Sequence, residues 1–200
     1  MMEELKKGYI GNLSQLVTLR RVEVREGRAR GTEIIEVVTA SGLHLDILTD
    51  AGLDIGQARY KGINVSWISK NGYDSPAAIS TYETEFVNTF PGVLLYTCGL
   101  RNAGPANRDN GEWHPLHGRY HSLQAEQVCA YIADEEIVVS GIIRETALFG
   151  HVLEVKRTIR IPVYGSKITI HDTLMNLTPH DEEFMIIYHC NFGYPLLCEK

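Results

Sequence analysis

The sequence lacks the features that mark nucleic-acid-binding, secreted and membrane proteins. Its 200 residues carry a net charge of -6 at pH 7, and its basic pairs, such as Arg20 with Arg21, stand alone among apolar residues. Nucleic-acid binding needs a clustered basic face, so we expect no such partner. No apolar run approaches the ~20 residues of a membrane-spanning helix, and the N-terminus has no apolar signal segment. We therefore expect no membrane partner and a cytoplasmic protein.

Cysteine is also scarce and scattered. The four cysteines are Cys98, Cys129, Cys190 and Cys198, and no two of them form a C-x-x-C pair. This number and spacing argue against a disulfide scaffold and against a zinc ribbon or thioredoxin-type site. We interpret the cysteines as small buried side chains in a reducing compartment.

What the sequence does have is strand-like alternation. The clearest case is 152–161, where Leu153, Val155 and Ile159 share one face and charged residues share the other. Arg157 interrupts the apolar face. It lies either at the edge of a strand or inside a polar site.

Most of the chain follows the same period. The segment 166–174 alternates too, and the turn-forming residues 162–165 predict that it forms an antiparallel hairpin with the strand before it. Further strands are predicted at 17–24, 33–39, 43–48, 64–68, 93–97, 124–132, 137–144 and 183–190. Helical periodicity is limited to a turn or two within 76–90, beginning after Ser75. We predict an all-β fold, an antiparallel β-sandwich of two sheets, as a single domain over residues 1–200.

A loop rich in Gly, Asn and Pro is predicted over 99–118, and three histidines lie within it or just after it. His114, His117 and His121 invite a metal interpretation because imidazole is a common ligand. A strand would send His114 to the opposite face from the other two, and Pro115 disfavours a helix. We therefore predict no metal site. The alternative that these histidines form only local hydrogen bonds stays open.

A second histidine lies at the end of the last predicted strand. Strand alternation over 183–190 puts His189 on the same face as Asn191, just where Gly193 and Pro195 break the strand. A polar pair at the end of an apolar strand is typical of a small-ligand cleft. A core histidine bonded to a backbone carbonyl is the competing interpretation.

Together these motifs resemble a known family. The order is Thr-Cys98-Gly-Leu, Leu-His117-Gly-Arg, a hairpin, Asp172-Thr-Leu-Met-Asn176, and Tyr-His189-x-Asn-Phe-Gly-Tyr. This order resembles the galactose mutarotase-like superfamily, and within it a subgroup of aldose 1-epimerase-like proteins. The likeness spans about 43–197. It implies a galactose mutarotase-like supersandwich that binds a hexose on its concave face.

The resemblance also implies catalytic roles. His189 falls where the family places its general acid, which protonates the ring oxygen as the hemiacetal opens. His117 falls where the family places a second histidine near the same ring edge. Ring opening needs one proton delivered and another removed. The chemistry needs no cofactor.

Four other residues are candidates for sugar binding. Arg101 and Arg119 can hold sugar hydroxyls or an acidic substituent, Trp113 can stack on a sugar face, and Asn191 accompanies His189. A structural or solvated role remains open for each. Asp54, in Ala-Gly-Leu-Asp54-Ile-Gly, is interpreted as a turn residue.

One element of the family is not found. Its general base is a glutamate on a strand beyond the second histidine motif, and nothing singles out Glu112, Glu145 or Asp172 as its replacement. We therefore expect the N-terminal part of a longer mutarotase-like fold, incomplete at its C-terminus, with 1-epimerase activity when the fold is complete. The alternatives are a non-catalytic carbohydrate-binding or regulatory module and a metal-dependent cupin-type barrel. An unpaired strand edge would allow a homodimer.

Overall fold

The structure is a computed structural model that describes residues 3, 6–75, 78, 80 and 85–199. The strands are β1 (Thr18–Glu23), β2 (Glu33–Val38), β3 (Leu43–Leu48), β4 (Asp54–Tyr60), β5 (Ile63–Asn64), β6 (Leu95–Leu100), β7 (Asn107–Asp109), β8 (Glu112–His114), β9 (Glu126–Ala133), β10 (Glu136–Thr146), β11 (Val152–Pro162), β12 (Thr169–Asn176) and β13 (Met185–Cys190). The helix α1 (Glu85–Thr89) is a little more than one turn long, and short 3-10 turns lie at Leu13–Gln15 and Tyr120–Ser122.

Two antiparallel sheets form the body of the molecule. One has five strands in the order β1-β2-β3-β4-β5, and the other has four in the order β12-β11-β10-β9. Between them lies a core of aliphatic side chains, which the period-two alternation of each strand turns inward. Its fully buried members include Ile35, Val37, Leu45, Ile47, Ile137, Val139, Ile143, Leu153, Val155 and Ile159. The predicted antiparallel β-sandwich is confirmed.

A separate pair of strands, β6 and β13, carries the second histidine motif. The pair is antiparallel, with Thr97 opposite Tyr188 and Tyr96 opposite His189. Thr97 is fully buried and donates from its backbone N–H and its hydroxyl to the Asp54 carboxylate, both at 2.6 Å. These bonds fasten the β6–β13 pair to β4 of the five-stranded sheet.

The predicted hairpin of β11 and β12 is confirmed, with register from Leu153 opposite Asn176 to Arg160 opposite Thr169. The prediction missed β4, and it missed the small β7–β8 hairpin inside the segment taken as a loop. The expected helix is described only from Glu85, and its expected start at Pro76 lies outside the described residues.

The cysteine prediction was wrong for three of the four residues. Only Cys98 is buried, while Cys129, Cys190 and Cys198 are exposed, and all four thiols are free. The last three lie on outer strand faces or beyond β13, where alternation does not turn them toward the core.

Candidate functional site

The loop that carries His117 is pressed against the end of β6. Gly99 donates its backbone N–H to the His117 carbonyl at 3.1 Å and accepts from the Arg119 N–H at 2.7 Å. Gly118 lies between these residues with a φ of +73°, and a Cβ there would stand 2.0 Å from the Asn102 carbonyl oxygen. Only glycine permits this approach. The Leu-His117-Gly motif therefore fixes the position of the histidine.

The His117 ring is half-buried and has a defined orientation. Its Nδ1 lies 3.2 Å from the Ala103 carbonyl oxygen, and its ring packs edge-on against Phe86 of α1 at 5.1 Å. A carbonyl oxygen can only accept, so the neutral ring carries its proton on Nδ1. Nε2 is thereby left as the basic nitrogen.

His189 lies near the end of β13 with an exposed ring. Paired residues of antiparallel strands project to the same face, so His189 shares a face with Tyr96. The Tyr96 ring stacks on His121 at 4.4 Å and packs edge-on against Phe86 at 6.1 Å. Tyr96, Phe86 and His121 form an aromatic platform, which contacts the His117 ring through Phe86 and lies on the strand face that carries His189.

His121, which was considered from the sequence only as a metal ligand, is a part of this platform. It is 1% exposed, and neither ring nitrogen has a hydrogen-bond partner among the described residues. Burial, and then the charge of His117, lowers the pKa of His121 to about 3, so the ring is neutral. It also borders a cavity of about 30 Å³, which has room for water but not for a sugar.

The two predicted arginines are already paired. Arg101 donates to Glu182 at 2.6 Å and to Glu112 at 3.1 Å. Arg119 donates to Glu145 at 3.1 Å and to the backbone carbonyl of Trp113 at 3.3 Å. Neither guanidinium is free to hold an acidic substituent without breaking an ion pair.

The other two predicted binding residues have different environments. Trp113 lies on β8, half-buried, and its indole N–H is buried without a partner in the described part of the chain. The Asn191 amide donates to the carbonyls of Val93 at 3.0 Å and Gly92 at 3.4 Å. Its visible contacts therefore hold the turn before β6.

The carboxylates considered as a replacement base are engaged in hydrogen bonds. Glu145 is 2% exposed and accepts from the backbone N–H groups of Leu100 and Arg101 as well as from Arg119. Asp172 accepts from Arg157 and from the hydroxyl of Tyr188. Glu112 binds Arg101, as described above.

Arg157 was expected either at the edge of a strand or inside a polar site. The second alternative is correct, because its side chain reaches into a buried polar site. Its guanidinium binds Asp54 at 2.7 Å, Asp172 at 2.8 Å and the Thr97 hydroxyl at 3.0 Å. Asp54 is the first residue of β4 and is not a turn residue, so that interpretation was wrong. In the described residues, no three His, Cys, Asp or Glu side chains converge in a way that could hold a metal ion.

The two packed antiparallel sheets form a β-sandwich whose fold is that of solved galactose mutarotase-like structures, so the fold implied by the resemblance is confirmed. The chain belongs to the family described as domain of unknown function DUF4432, whose model matches residues 29–200. No curated protein matches the chain.

Two solved structures share the fold. A candidate aldose 1-epimerase from Klebsiella pneumoniae subsp. pneumoniae MGH 78578 superposes with a TM-score of 0.84 at 22% identity, over 92% of this chain and 51% of that one. A galactose mutarotase-like protein from Clostridium acetobutylicum gives 0.64 at 14% identity, over 90% and 55%. The chain therefore spans about half the length of these structures. No described helix is long and apolar enough to cross a membrane.

Proposed function

We propose that the chain binds an aldose beside the platform of Tyr96, Phe86 and His121, with His189 as the acid of 1-epimerase chemistry and His117 as the residue that positions the sugar. The observation that carries this proposal is that the His117 ring packs on Phe86, and that His189 shares a strand face with Tyr96, whose ring packs on the same Phe86. Tyr96 and His121 are buried, so Phe86, which is partly exposed, is the platform member that can offer a flat apolar surface to the C–H face of a pyranose, with the two imidazoles as candidates to bond its oxygens. The fold shared with a candidate aldose 1-epimerase supports the same proposal.

The proposed reaction moves two protons. A base removes the proton of the anomeric hydroxyl while the His189 imidazolium donates one to the ring oxygen, and the bond between C1 and the ring oxygen breaks. The open aldehyde rotates about the C1–C2 bond. Reclosure on the other face returns each proton to its donor, so no oxidant or cofactor enters the balance.

His117 has a separate proposed role. Because its Nδ1 is held by the Ala103 carbonyl, its Nε2 can accept a hydrogen bond from a sugar hydroxyl. This contact would orient the ring edge toward His189. A histidine whose ring is held in one orientation positions a substrate better than one whose ring rotates freely.

The general base is the missing part. Glu145, Asp172 and Glu112 each accept hydrogen bonds from arginine, and such contacts weaken a carboxylate as a base. We therefore expect sugar binding with mutarotation close to the spontaneous rate for these 200 residues. The same observation favours the second candidate function, a carbohydrate-binding module without catalysis.

Polarimetry on freshly dissolved α-anomers, paired with an NMR binding titration of the same sugars, tests the proposal. His189→Ala and His117→Ala should each weaken binding. His171→Ala, an exposed histidine on β12, is the matched control and should leave binding unchanged. Unchanged binding in both site variants would overturn the proposal. Mutarotation far above the spontaneous rate, lost in His189→Ala, would show that a carboxylate of this chain acts as base.

A further inference from the structure

A second pocket lies at the opposite end of β13 from His189. Met185 lines it, and Met185 and His189 are four residues apart, which is about 13 Å along an extended strand. The cavity measures about 160 Å³. Its polar lining comes from Arg101, Asn102, Asn107, Asp109, His114 and Glu183. Pockets for drug-sized ligands measure roughly 300–1,000 Å³, so this one suits a single small unit.

Two residues that line the pocket each carry a buried polar atom without a hydrogen-bond partner among the residues that the structure describes. His114 is 5% exposed, and its Nδ1 has no hydrogen-bond partner in the described part of the chain. The Nε of Arg101 is buried and unpartnered in the same way. Leaving such a group unpaired costs about 1–3 kcal/mol. A ligand whose hydroxyl groups reach these atoms would remove that cost.

The negative charge around the pocket opposes the binding of an anion. The two terminal nitrogens of Arg101 are paired with Glu182 and Glu112. Desolvation acts to raise the pKa of Glu112, but the hydrogen bond and charge of Arg101 outweigh it and hold that pKa below its ordinary value. Glu112 is therefore ionised at neutral pH. Asp109 and Glu183 add two carboxylates to the lining of the pocket, in which Arg101 is the only arginine or lysine among the described residues.

We infer that this pocket binds an uncharged polyhydroxylated unit and rejects sugars that carry a phosphate or a carboxylate. A hydroxyl group can accept from the Arg101 Nε–H and donate to the carboxylate of Glu183 or Asp109. A phosphate or carboxylate can only accept, and it would be repelled by the surrounding carboxylates. The inference goes beyond the proposed function, because neither His117 nor His189 lines this pocket and the pocket has its own binding test.

The test compares three matched ligands by NMR titration: D-glucose, D-glucose 6-phosphate and D-glucuronate. The wild type should bind glucose at least about tenfold more tightly than either anion. The variant Glu112→Gln/Glu182→Gln removes the two carboxylate charges paired with the Arg101 terminal nitrogens, and should shift this ratio toward the anions by at least about tenfold. Glu126→Gln, which removes an exposed partner of Arg144 on the four-stranded sheet, is the control and should leave the ratio unchanged.

The position of binding is tested separately. Chemical-shift changes on adding glucose should include Glu183 and Met185, and they should persist in His189→Ala. Tighter binding of either anion to the wild type, or an unchanged ratio in the double variant, would overturn the inference. So would loss of all glucose binding in His189→Ala, which would leave the histidine site as the place where glucose binds. Circular dichroism checks that each variant is folded.

Discussion

Arg157 and Asp54 form an ion pair inside the sandwich, with 2.7 Å between Nη1 and Oδ1 and with neither side chain more than 1% exposed. The same guanidinium lies 2.8 Å from Asp172 of β12, whose carboxylate accepts from the Tyr188 hydroxyl at 2.9 Å. Asp54 in turn holds Thr97 of β6. One arginine therefore ties the strand pair β6–β13 to both large sheets, and with it the strand that carries His189.

Removing this arginine should strongly destabilise the fold. Arg157→Ala leaves the buried Asp54 without a counter-charge, and breaking a buried pair in this way costs about 3–5 kcal/mol. Urea unfolding measures the free energy of unfolding. The control is Arg160→Ala on the same strand, because Arg160 forms an exposed pair with Glu136. We expect a loss of about 0–1 kcal/mol there. Equal losses in the two variants would contradict a structural role for the buried pair.

The ionisation of Asp54 should make stability depend on pH. Burial raises its pKa from 3.8 to about 6, even though Arg157 acts to lower it. Between these values the folded state binds the proton more tightly than the unfolded state, so the contribution of Asp54 to stability falls as the pH rises from about 4 to 6. One pKa unit corresponds to about 1.4 kcal/mol, which gives a fall of about 3 kcal/mol across this range.

Asp54→Asn isolates this contribution, because asparagine does not ionise. The free energy of unfolding of the wild type, minus that of the variant, should fall between pH 4 and 6.5 and be level on either side. Asp134→Asn, in the exposed turn between β9 and β10, controls for a general charge effect. Parallel pH profiles for the wild type and Asp54→Asn would contradict the raised pKa.

The strands were predictable wherever one face of the chain is apolar, because alternation is a local signal. β3 was predicted at its observed bounds and β11 to within one residue, while β12 was predicted two to three residues too early. β4 was missed because it begins with Asp54 beside glycines, which locally resemble a turn. The partner that makes a buried aspartate tolerable, Arg157, is 103 residues away in the chain. No local pattern could reveal that pairing.

The candidate site was predictable only in part, for the same reason. The motifs indicated His117 and His189, whose surroundings are marked by glycine and aromatic residues. The platform between them depends on Tyr96 pairing with His189 across two strands and on Phe86 reaching from α1. The partners of Arg101 were equally hidden, since Glu182 is 81 residues away from it. Long-range pairing decides whether an arginine is free.

Gly118 should be essential for the position of His117. Gly118→Ala adds a Cβ that would meet two backbone oxygens, 2.0 Å from that of Asn102 and 2.2 Å from that of Gly99. Left-handed backbone costs about 1–2 kcal/mol for a residue with a Cβ, and overpacking adds about 1–3 kcal/mol. Urea unfolding should show a loss of unfolding free energy equal to the sum of these two costs, and NMR titration should show weaker sugar binding.

Gly111→Ala separates the two costs. Gly111 has a similar φ of +85°, but a Cβ there would meet nothing within 4 Å. We therefore expect only the loss of about 1–2 kcal/mol from the backbone conformation, with sugar binding retained. If the two variants lose the same stability and the same affinity, the close approach of the His117 loop to β6 contributes neither to stability nor to sugar binding.

The outer edge of β13 should make the chain self-associate. β13 pairs only with β6 in the described residues, and its sequence, MIIYHC, contains no lysine or proline to protect a free edge. More than half of the exposed large apolar side chains that the structure describes lie between 175 and 197. Met185, Ile187 and Tyr188 are each about half exposed. An unprotected apolar edge favours pairing with another strand, including that of a second copy.

Analytical ultracentrifugation should therefore show a monomer that associates as its concentration rises. Ile187→Lys places a charge on this edge and should move the equilibrium at least about tenfold toward the monomer, because a buried lysine opposes strand pairing. The matched control is Leu148→Lys, which introduces the same charge at an exposed apolar position in the turn between β10 and β11. That variant should associate as the wild type does. A wild-type chain that remains monomeric at all concentrations would mean that the edge of β13 does not pair with a second copy. Equal effects of the two lysines would show that net charge, rather than the strand edge, controls association.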